Sequence, residues 1–157
     1  MELYHASKKI VQYPEIRKTK YTKDFSWGFY CTNNMNQAIR WANRGIGEPI
    51  INYYEYVPTE NLKILRFPEI SDEWLDFIAE CRSGKTHTYD IVEGPMANDT
   101  VWNYVNDFLA GRITRRQFWV LAEFKYPTHQ ISFHTLSAID CLTFMKSEVV
   151  YDRTGKK

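Results

Sequence analysis

The stretch GFYCTNNMNQAIRWANRGIG, residues 28–47, decides the fold class, because one element type gives way to another inside it. Gly28-Phe29-Tyr30-Cys31-Thr32 is a run of β-formers and predicts a strand. Asn33 or Asn34 then offers a side-chain oxygen to the first free amides of a helix that runs to about Asn43 and carries Ala38, Trp41 and Ala42. Gly45 and Gly47 end it. Downstream, Pro49–Val57 and Asn61–Phe67 read as strands, the first alternating Ile51, Tyr53, Glu55 and Val57 along one face. Ser71 followed by Asp72 and Glu73 predicts a helix start, since acidic groups favour the positive end of the helix dipole. Trp74, Leu75, Phe77, Ile78 and Cys81 supply its apolar face. Tyr89–Glu93 predicts a strand closed by Gly94-Pro95. The next helix opens at Asn98 or Asp99, shows Val101, Trp102, Val105, Phe108 and Leu109 on one side, and stops at Gly111. Thr114-Arg115-Arg116-Gln117 is a capping box, with Phe118, Leu121 and Ala122 following at core spacing. Pro127 breaks the chain ahead of a strand over Gln130–Phe133, Thr135 caps a short helix to Asp140, and Leu142–Tyr151 closes as a strand. Upstream, Leu3-Tyr4-His5 is a short first strand, and Ser7–Asp24, with Pro14 inside it, is an irregular excursion. Strands and helices mix without regular βαβ alternation, so the class is α+β rather than doubly wound.

The 157 residues fit one domain spanning 1–157, large enough to bury well over half of its unfolded surface. No internal repeat, low-complexity tract or Gly/Ser/Pro-rich linker marks a boundary. An aromatic share of 16% predicts a core or cleft lined with flat rings. Twenty basic against 19 acidic residues leave a net charge of +1, which excludes a global electrostatic grip on nucleic acid but allows a local patch. The densest positive stretch is Lys8, Lys9, Arg17, Lys18, Lys20 and Lys23, read either as a solvated loop or as contact with phosphates of a ligand or nucleic acid. Cys31, Cys81 and Cys141 are odd in number and widely spaced, which predicts buried thiols in a reducing compartment. No basic region with an apolar run follows Met1, and no apolar stretch approaches the ~20 residues needed to span a bilayer. The expectation is a cytoplasmic protein.

Common catalytic signatures are absent: the sequence has no GxGxxG, no Gly-rich loop ending in Lys-Ser/Thr, no HExxH and no GxSxG. Of the four histidines, only His129 and His134 lie close in sequence, and their odd spacing along a strand sends them to opposite faces. A metal site is not expected. Asp90 and Glu93 likewise face opposite ways, which argues against a local carboxylate pair.

Three separated segments are informative together. They are Leu3-Tyr4-His5-Ala6-Ser7, where a strand-end histidine precedes two small residues, then Gly28–Thr32 with its following helix, and Gln130-Ile131-Ser132-Phe133-His134-Thr135. In this order they resemble the H-Y-E branch of the ADP-ribosyltransferase superfamily, which includes diphtheria toxin and the poly(ADP-ribose) polymerases. The specific likeness is to a bacterial family within it whose members start Leu-Tyr-His-Gly-Ser, continue with Gly-Phe-Tyr-Leu-Thr and carry Asp-x-Val-x-Gly-Pro-x-Ala. Here the last segment reads Asp90-Ile91-Val92-Glu93-Gly94-Pro95-Met96-Ala97, and the likeness spans roughly residues 2–145.

The resemblance implies a split β-sheet core with peripheral helices, and a cleft that holds NAD as a substrate, without a metal. By position it makes His5 the histidine that hydrogen-bonds the adenosine ribose. Ala6 replaces the usual glycine whose backbone groups grip the nicotinamide amide, with less torsional freedom. Ser7 matches a serine that holds the same amide, and Tyr30 the tyrosine against the nicotinamide ring. Trp41, eleven residues after Tyr30, stands where the polymerases place a second ring; the two could sandwich the cationic pyridinium. Asp90, Asn98 and Asp99 are second-tier, with ordinary readings as turn former and helix caps.

One departure matters for chemistry. Breaking the nicotinamide–ribose bond builds positive charge on the sugar, as in glycoside hydrolysis, and the family's third-motif Glu stabilises it. Here that position is Gln130, whose amide orients a hydroxyl but brings no charge. Glu93 is then the candidate additional acid. The leading expectation is a mono-ADP-ribosyltransferase acting on a macromolecular acceptor (protein, RNA or DNA), with His5, Tyr30 and Gln130 as the catalytic set. The resemblance further suggests a bacterial toxin or phage-defence effector neutralised by a small partner protein. The alternatives are a catalytically weak or inactive NAD-binding module of the same fold, and a plain interaction domain whose rings are all core.

Overall fold

Among the residues that a computed structural model of the chain describes (1–18, 23–97, 99–122 and 128–152), seven strands and five helices form. Strands β1 (Glu2–Ser7), β3 (Ile50–Tyr56) and β7 (Leu142–Val149) make one antiparallel sheet in the order β1-β3-β7. A second sheet takes β2 (Phe29–Cys31), β6 (Gln130–Phe133), β5 (Ile91–Gly94) and β4 (Ile64–Arg66) in the order β2-β6-β5-β4. Its β4–β5 pair is parallel, joined by helix α2 (Asp72–Arg82), while β2–β6 and β5–β6 are antiparallel. The remaining helices are α1 (Met35–Ala42), α3 (Asp99–Leu109), α4 (Arg115–Ala122) and α5 (Leu136–Ile139). The class is α+β, with two sheets. Among the described residues no helix is long and apolar enough to cross a membrane.

Among the described residues, the sheets are hydrogen-bonded to each other through one isolated antiparallel bridge between Tyr4 and Thr32, made of two backbone hydrogen bonds of 2.9 Å each. Leu3, Phe29, Cys31, Tyr54 and Phe133 fill the space behind it. On the far side of the second sheet, Val92, Phe25 and Phe67 meet Trp74, Ile78, Val105 and Phe118 from α2, α3 and α4. Helix α1 instead lays Ala38 and Ala42 on Ile51 and Tyr53 of the first sheet. That second cover explains why β3 is buried on both faces, with only Glu55 exposed, where alternation predicted one wet face. Val57, expected on that strand, lies beyond its end and is 62% exposed.

Local signals set most helix boundaries. Asn34 accepts from the Gln37 amide at 3.1 Å, Ser71 from Trp74 and Thr135 from Ala138, each satisfying one of the otherwise unpaired first-turn amides. The capping box is reciprocal: Gln117 N–H donates to Thr114 Oγ1 at 3.1 Å and Thr114 N–H to Gln117 Oε1 at 2.8 Å. Two core expectations need correction. Leu121 and Leu109 are each 40% exposed. Arg115 pairs with Asp72 and Asp76, and the Trp119 indole donates to Asp72, so α4 is rotated to press Phe118 and Trp119 inward and turn Leu121 out. The side chains of Trp102 and Ala122, and Pro127, lie outside the described residues. Strand ends also move: β5 starts at Ile91 rather than Tyr89, β4 shrinks to Ile64–Arg66, and β7 stops at Val149.

Gly28, just before β2, is where a side chain cannot fit. A Cβ there would lie 2.8 Å from His134 Cε1 and 2.9 Å from the Phe133 carbonyl, which is backbone and cannot swing aside. Gly28→Ala should therefore destabilise the protein by about 1–3 kcal/mol, read as a lower urea midpoint; an unchanged midpoint would contradict this packing.

Candidate functional site

Four elements from three separated stretches of the sequence bring side chains to one hollow of about 320 Å³ beside the inter-sheet bridge. β1 contributes His5 and Ala6, β2 Tyr30, α1 Trp41 and β6 Gln130. A second hollow of about 480 Å³ shares His5, Lys23 and Tyr30 with the first and extends past Ser7, Arg17 and Trp27. The two thus adjoin along the His5–Tyr30 contact.

His5 holds that seam. Its Nδ1 lies 2.6 Å from the Tyr30 carbonyl oxygen, and because a carbonyl can only accept, Nδ1 carries the proton and Nε2 keeps a lone pair. Among the described residues Nε2 has no hydrogen-bond partner. The ring stacks on Phe29 with centroids 4.1 Å apart. Burial drives the His5 pKa down to about 4 against the opposing effect of the Tyr30 bond, so the ring is neutral at pH 7. Along β1, Tyr4 turns its backbone groups toward Thr32, and the period of two sends the N–H and C=O of Ala6 the same way, out of the β3 ladder. Ser7 accepts from the Lys9 amide at 3.1 Å and lines the larger hollow.

Tyr30 offers its ring and not its hydroxyl. The hydroxyl donates to the Ser26 carbonyl at 2.5 Å and accepts from Phe25 N–H at 3.0 Å, and burial pushes its pKa up. Over the ring sits the Lys23 ammonium, 4.9 Å from the centroid, so this face already attracts a cation. Trp41 is partly buried in the wall of the same hollow.

Gln130 is 5% exposed, and its Nε2 donates to Asp24 Oδ2 at 3.1 Å and more weakly to the Pro95 carbonyl at 3.5 Å. Asp24 is the residue that sequence reasoning missed. It is 4% exposed, ion-paired with Arg82, and accepts from Ala97 N–H at 3.0 Å. No periodicity marks it, because it sits in the irregular Lys-rich excursion. Two partly buried histidines hold the loop that delivers it: His87 Nε2–H donates to the Phe25 carbonyl and His134 Nδ1–H to the Trp27 carbonyl, both at 2.8 Å. The two rings meet edge to face at 4.3 Å, and burial takes His134 down to about 4. On the other side, the Trp74 indole and Thr128 tie down Pro95 and Met96, which positions the Ala97 amide.

Other candidates lie elsewhere. Glu93 stands outside this hollow, in a smaller one of about 270 Å³ with Arg66 and Thr128. There it accepts from His129 Nε2 at 2.8 Å and pairs with Arg66 at 3.4 Å, contacts that hold its carboxyl below the usual range. Asp90 accepts from Thr135 Oγ1 and Lys63 N–H, both far from it in sequence, so it ties the chain ahead of β4 to the start of α5 and is not the local turn former expected. Asn98 lies outside the described residues, and Asp99 begins α3 with a side chain outside them. Of the basic stretch, Lys9, Arg17 and Lys23 line the larger hollow, while Lys8 donates to the Ala42 carbonyl at the end of α1. Lys20 lies outside the described residues.

Histidines that desolvation keeps neutral make stability pH-dependent. An unfolded imidazole titrates near 6.5, so below that pH the unfolded chain takes up protons that folded His5 and His134, both near 4, do not. Stability is full above about pH 6.5 and is lost as pH falls toward 4. Urea unfolding should show a loss of about 2 kcal/mol from pH 6 to pH 5; a flat profile would contradict the neutral assignment.

No curated protein and no solved structure matches the chain. The family described as "Protein of unknown function (DUF3990)" matches residues 1–144, a span that contains His5, Asp24, Tyr30 and Gln130. The chain belongs to that family.

Proposed function

We propose that the chain is a mono-ADP-ribosyltransferase of the ADP-ribosyltransferase fold, taking ADP-ribose from NAD and placing it on a macromolecular acceptor. The observation that carries this reading is the convergence of His5, Ala6, Tyr30, Trp41 and Gln130, from four separate elements, on one hollow. The two sheets meeting at a single bridge, with hollows along the seam, support the split-sheet fold.

The residues present fit NAD part by part. The Tyr30 ring face, with an indole in the same wall, suits a pyridinium once the Lys23 ammonium that lies over it turns to the phosphates. The Ala6 N–H and C=O suit a carboxamide, which both donates and accepts. His5 Nε2, neutral and unpaired among the described residues, accepts from a ribose hydroxyl. Lys9 and Arg17 in the larger hollow, with Lys23 shared by both, suit a pyrophosphate. When bound, NAD supplies a C–N glycosidic bond whose cleavage releases nicotinamide. Gln130 then orients the ribose toward the acceptor.

A second reading, an NAD-binding module without turnover, is favoured by one observation. Gln130 brings no charge, and the charge of Asp24 is already taken up by Arg82. Incubation with labelled NAD separates the two. Nicotinamide release should fall on the order of a hundredfold in Gln130→Ala, and NAD affinity roughly tenfold in His5→Ala. Glu93→Gln should leave both within about twofold, since Glu93 lines a different hollow. Stabilisation by NAD of roughly 2.7 kcal/mol at a hundred times its dissociation constant, without nicotinamide release, would favour the binding module. Neither release nor stabilisation would end both readings.

A further inference from the structure

Gln130 and Asp24 are separated by 106 positions in sequence yet share a hydrogen bond of 3.1 Å, with both side chains about 95% buried or more. The chemistry of the partners settles which way the carboxamide points. Both acceptors near its Nε2, the Asp24 carboxylate and the Pro95 carbonyl, can only accept, so the amine end must face them. The Oε1 end is therefore turned away from Asp24. It has no hydrogen-bond partner among the described residues, and it is not a sealed-off atom: the one buried side-chain polar atom lacking a partner there is the Tyr56 hydroxyl. Gln130 lines the hollow, so Oε1 is its outward-facing group.

Asp24 is itself over-determined. One oxygen takes the Arg82 guanidinium, and the other takes Ala97 N–H at 3.0 Å together with Gln130. Every direction around Oδ2 that Gln130 reaches is matched to a donor. A carboxylate at position 130 would set two negative charges within hydrogen-bonding distance in a buried place, where only one can stay ionised without large cost. Glutamine is thus the residue this pocket accepts, where the resemblance implies a glutamate.

We propose that Asp24 is a positioning residue that locks Gln130 with its carbonyl oxygen presented to the hollow, as an uncharged acceptor for a substrate hydroxyl, and that it closes position 130 to glutamate. The acceptor role rests on the NAD reading above; the lock does not. With Arg82 absorbing the charge of Asp24, the site orients its substrate without a net negative group at the sugar.

A cycle of four proteins tests this: the wild type, Q130E, D24N/Q130E and Q130M. Q130E should melt roughly 5–10 °C lower than the wild type at pH 8, from like-charge crowding. D24N/Q130E should recover at least half of that loss. It keeps one carboxylate near Arg82 and gives that carboxylate an amide donor, although Ala97 N–H loses an acceptor. Q130M removes both ends of the amide while leaving the Asp24–Arg82 pair in place, so it should fold and yet lose nicotinamide release on the order of a hundredfold. At a temperature where both variants are folded, Q130E should release nicotinamide more slowly than the wild type and D24N/Q130E should restore kcat toward or above the wild-type value, a rescue that a merely structural contact would not give. The lock is overturned if Q130E melts with the wild type, or if D24N deepens its loss instead of relieving it. Faster nicotinamide release by Q130E alone would also overturn it. If none of the four releases nicotinamide or is stabilised by NAD, the functional reading fails, and the melting cycle still decides the Asp24–Gln130 contact.

Discussion

The two backbone hydrogen bonds between Tyr4 and Thr32 are the constraint on which the rest depends. A strand donates and accepts to alternate sides, so β1 can pair with β3 through one set of residues and reach β2 through the other. Only Tyr4 is used in this second way. One residue further along, His5 replaces a backbone bond with a side-chain bond to the Tyr30 carbonyl, and the sheets part. The hollows lie where a continuous sheet would otherwise have closed, so the backbone groups of Ala6 are left facing a cavity rather than a neighbouring strand.

The polar core is organised to hold one irregular segment. Residues 23–28 have no ladder of their own, and Ser26 adopts a φ of +75°, which a non-glycine residue rarely keeps without support. That support comes from the phenol of Tyr30, from His87 and His134 on the carbonyls of Phe25 and Trp27, and from the complete burial of the Phe25 ring. Each partly buried histidine kept neutral in this way gives up charge for geometry. The segment so held brings Lys23 over the Tyr30 ring and Asp24 against Gln130. A buried carboxylate bonded to arginine, a backbone amide and a side-chain amide leaves no lone-pair direction idle, which is how a charge persists at 4% exposure.

Similar economy appears on the opposite side of the seam. Gln37, 1% exposed, donates to the His129 carbonyl and accepts from the His129 amide, so α1 is fastened to the start of β6. Asn52, fully buried, accepts from Val11 N–H and donates to the His5 and Lys9 carbonyls, which ties the wall of the larger hollow to β3. Trp41 and Gln130 therefore reach the same hollow on elements clamped to each other, and the site stands on the sheets and not on a free loop.

What the sequence by itself determined was whatever depends on neighbours within about one helical turn or one strand. The Asn34, Ser71 and Thr135 caps, the Thr114–Gln117 box and the strand runs around Tyr30 and Ile131 are of this kind, because their hydrogen-bond partners or periodicities lie within a few residues. Ordered motifs also pointed to His5, Ala6, Tyr30, Trp41 and Gln130, which do line one hollow. Only the tertiary structure decided that β3 is covered on both faces, that Leu121 turns outward and that Glu93 looks into a different hollow from Gln130. It alone brought Asp24 to Gln130. Contacts made across a hundred residues leave no period in the chain, and a carboxylate in an irregular loop gains its meaning from the donors that folding arranges around it.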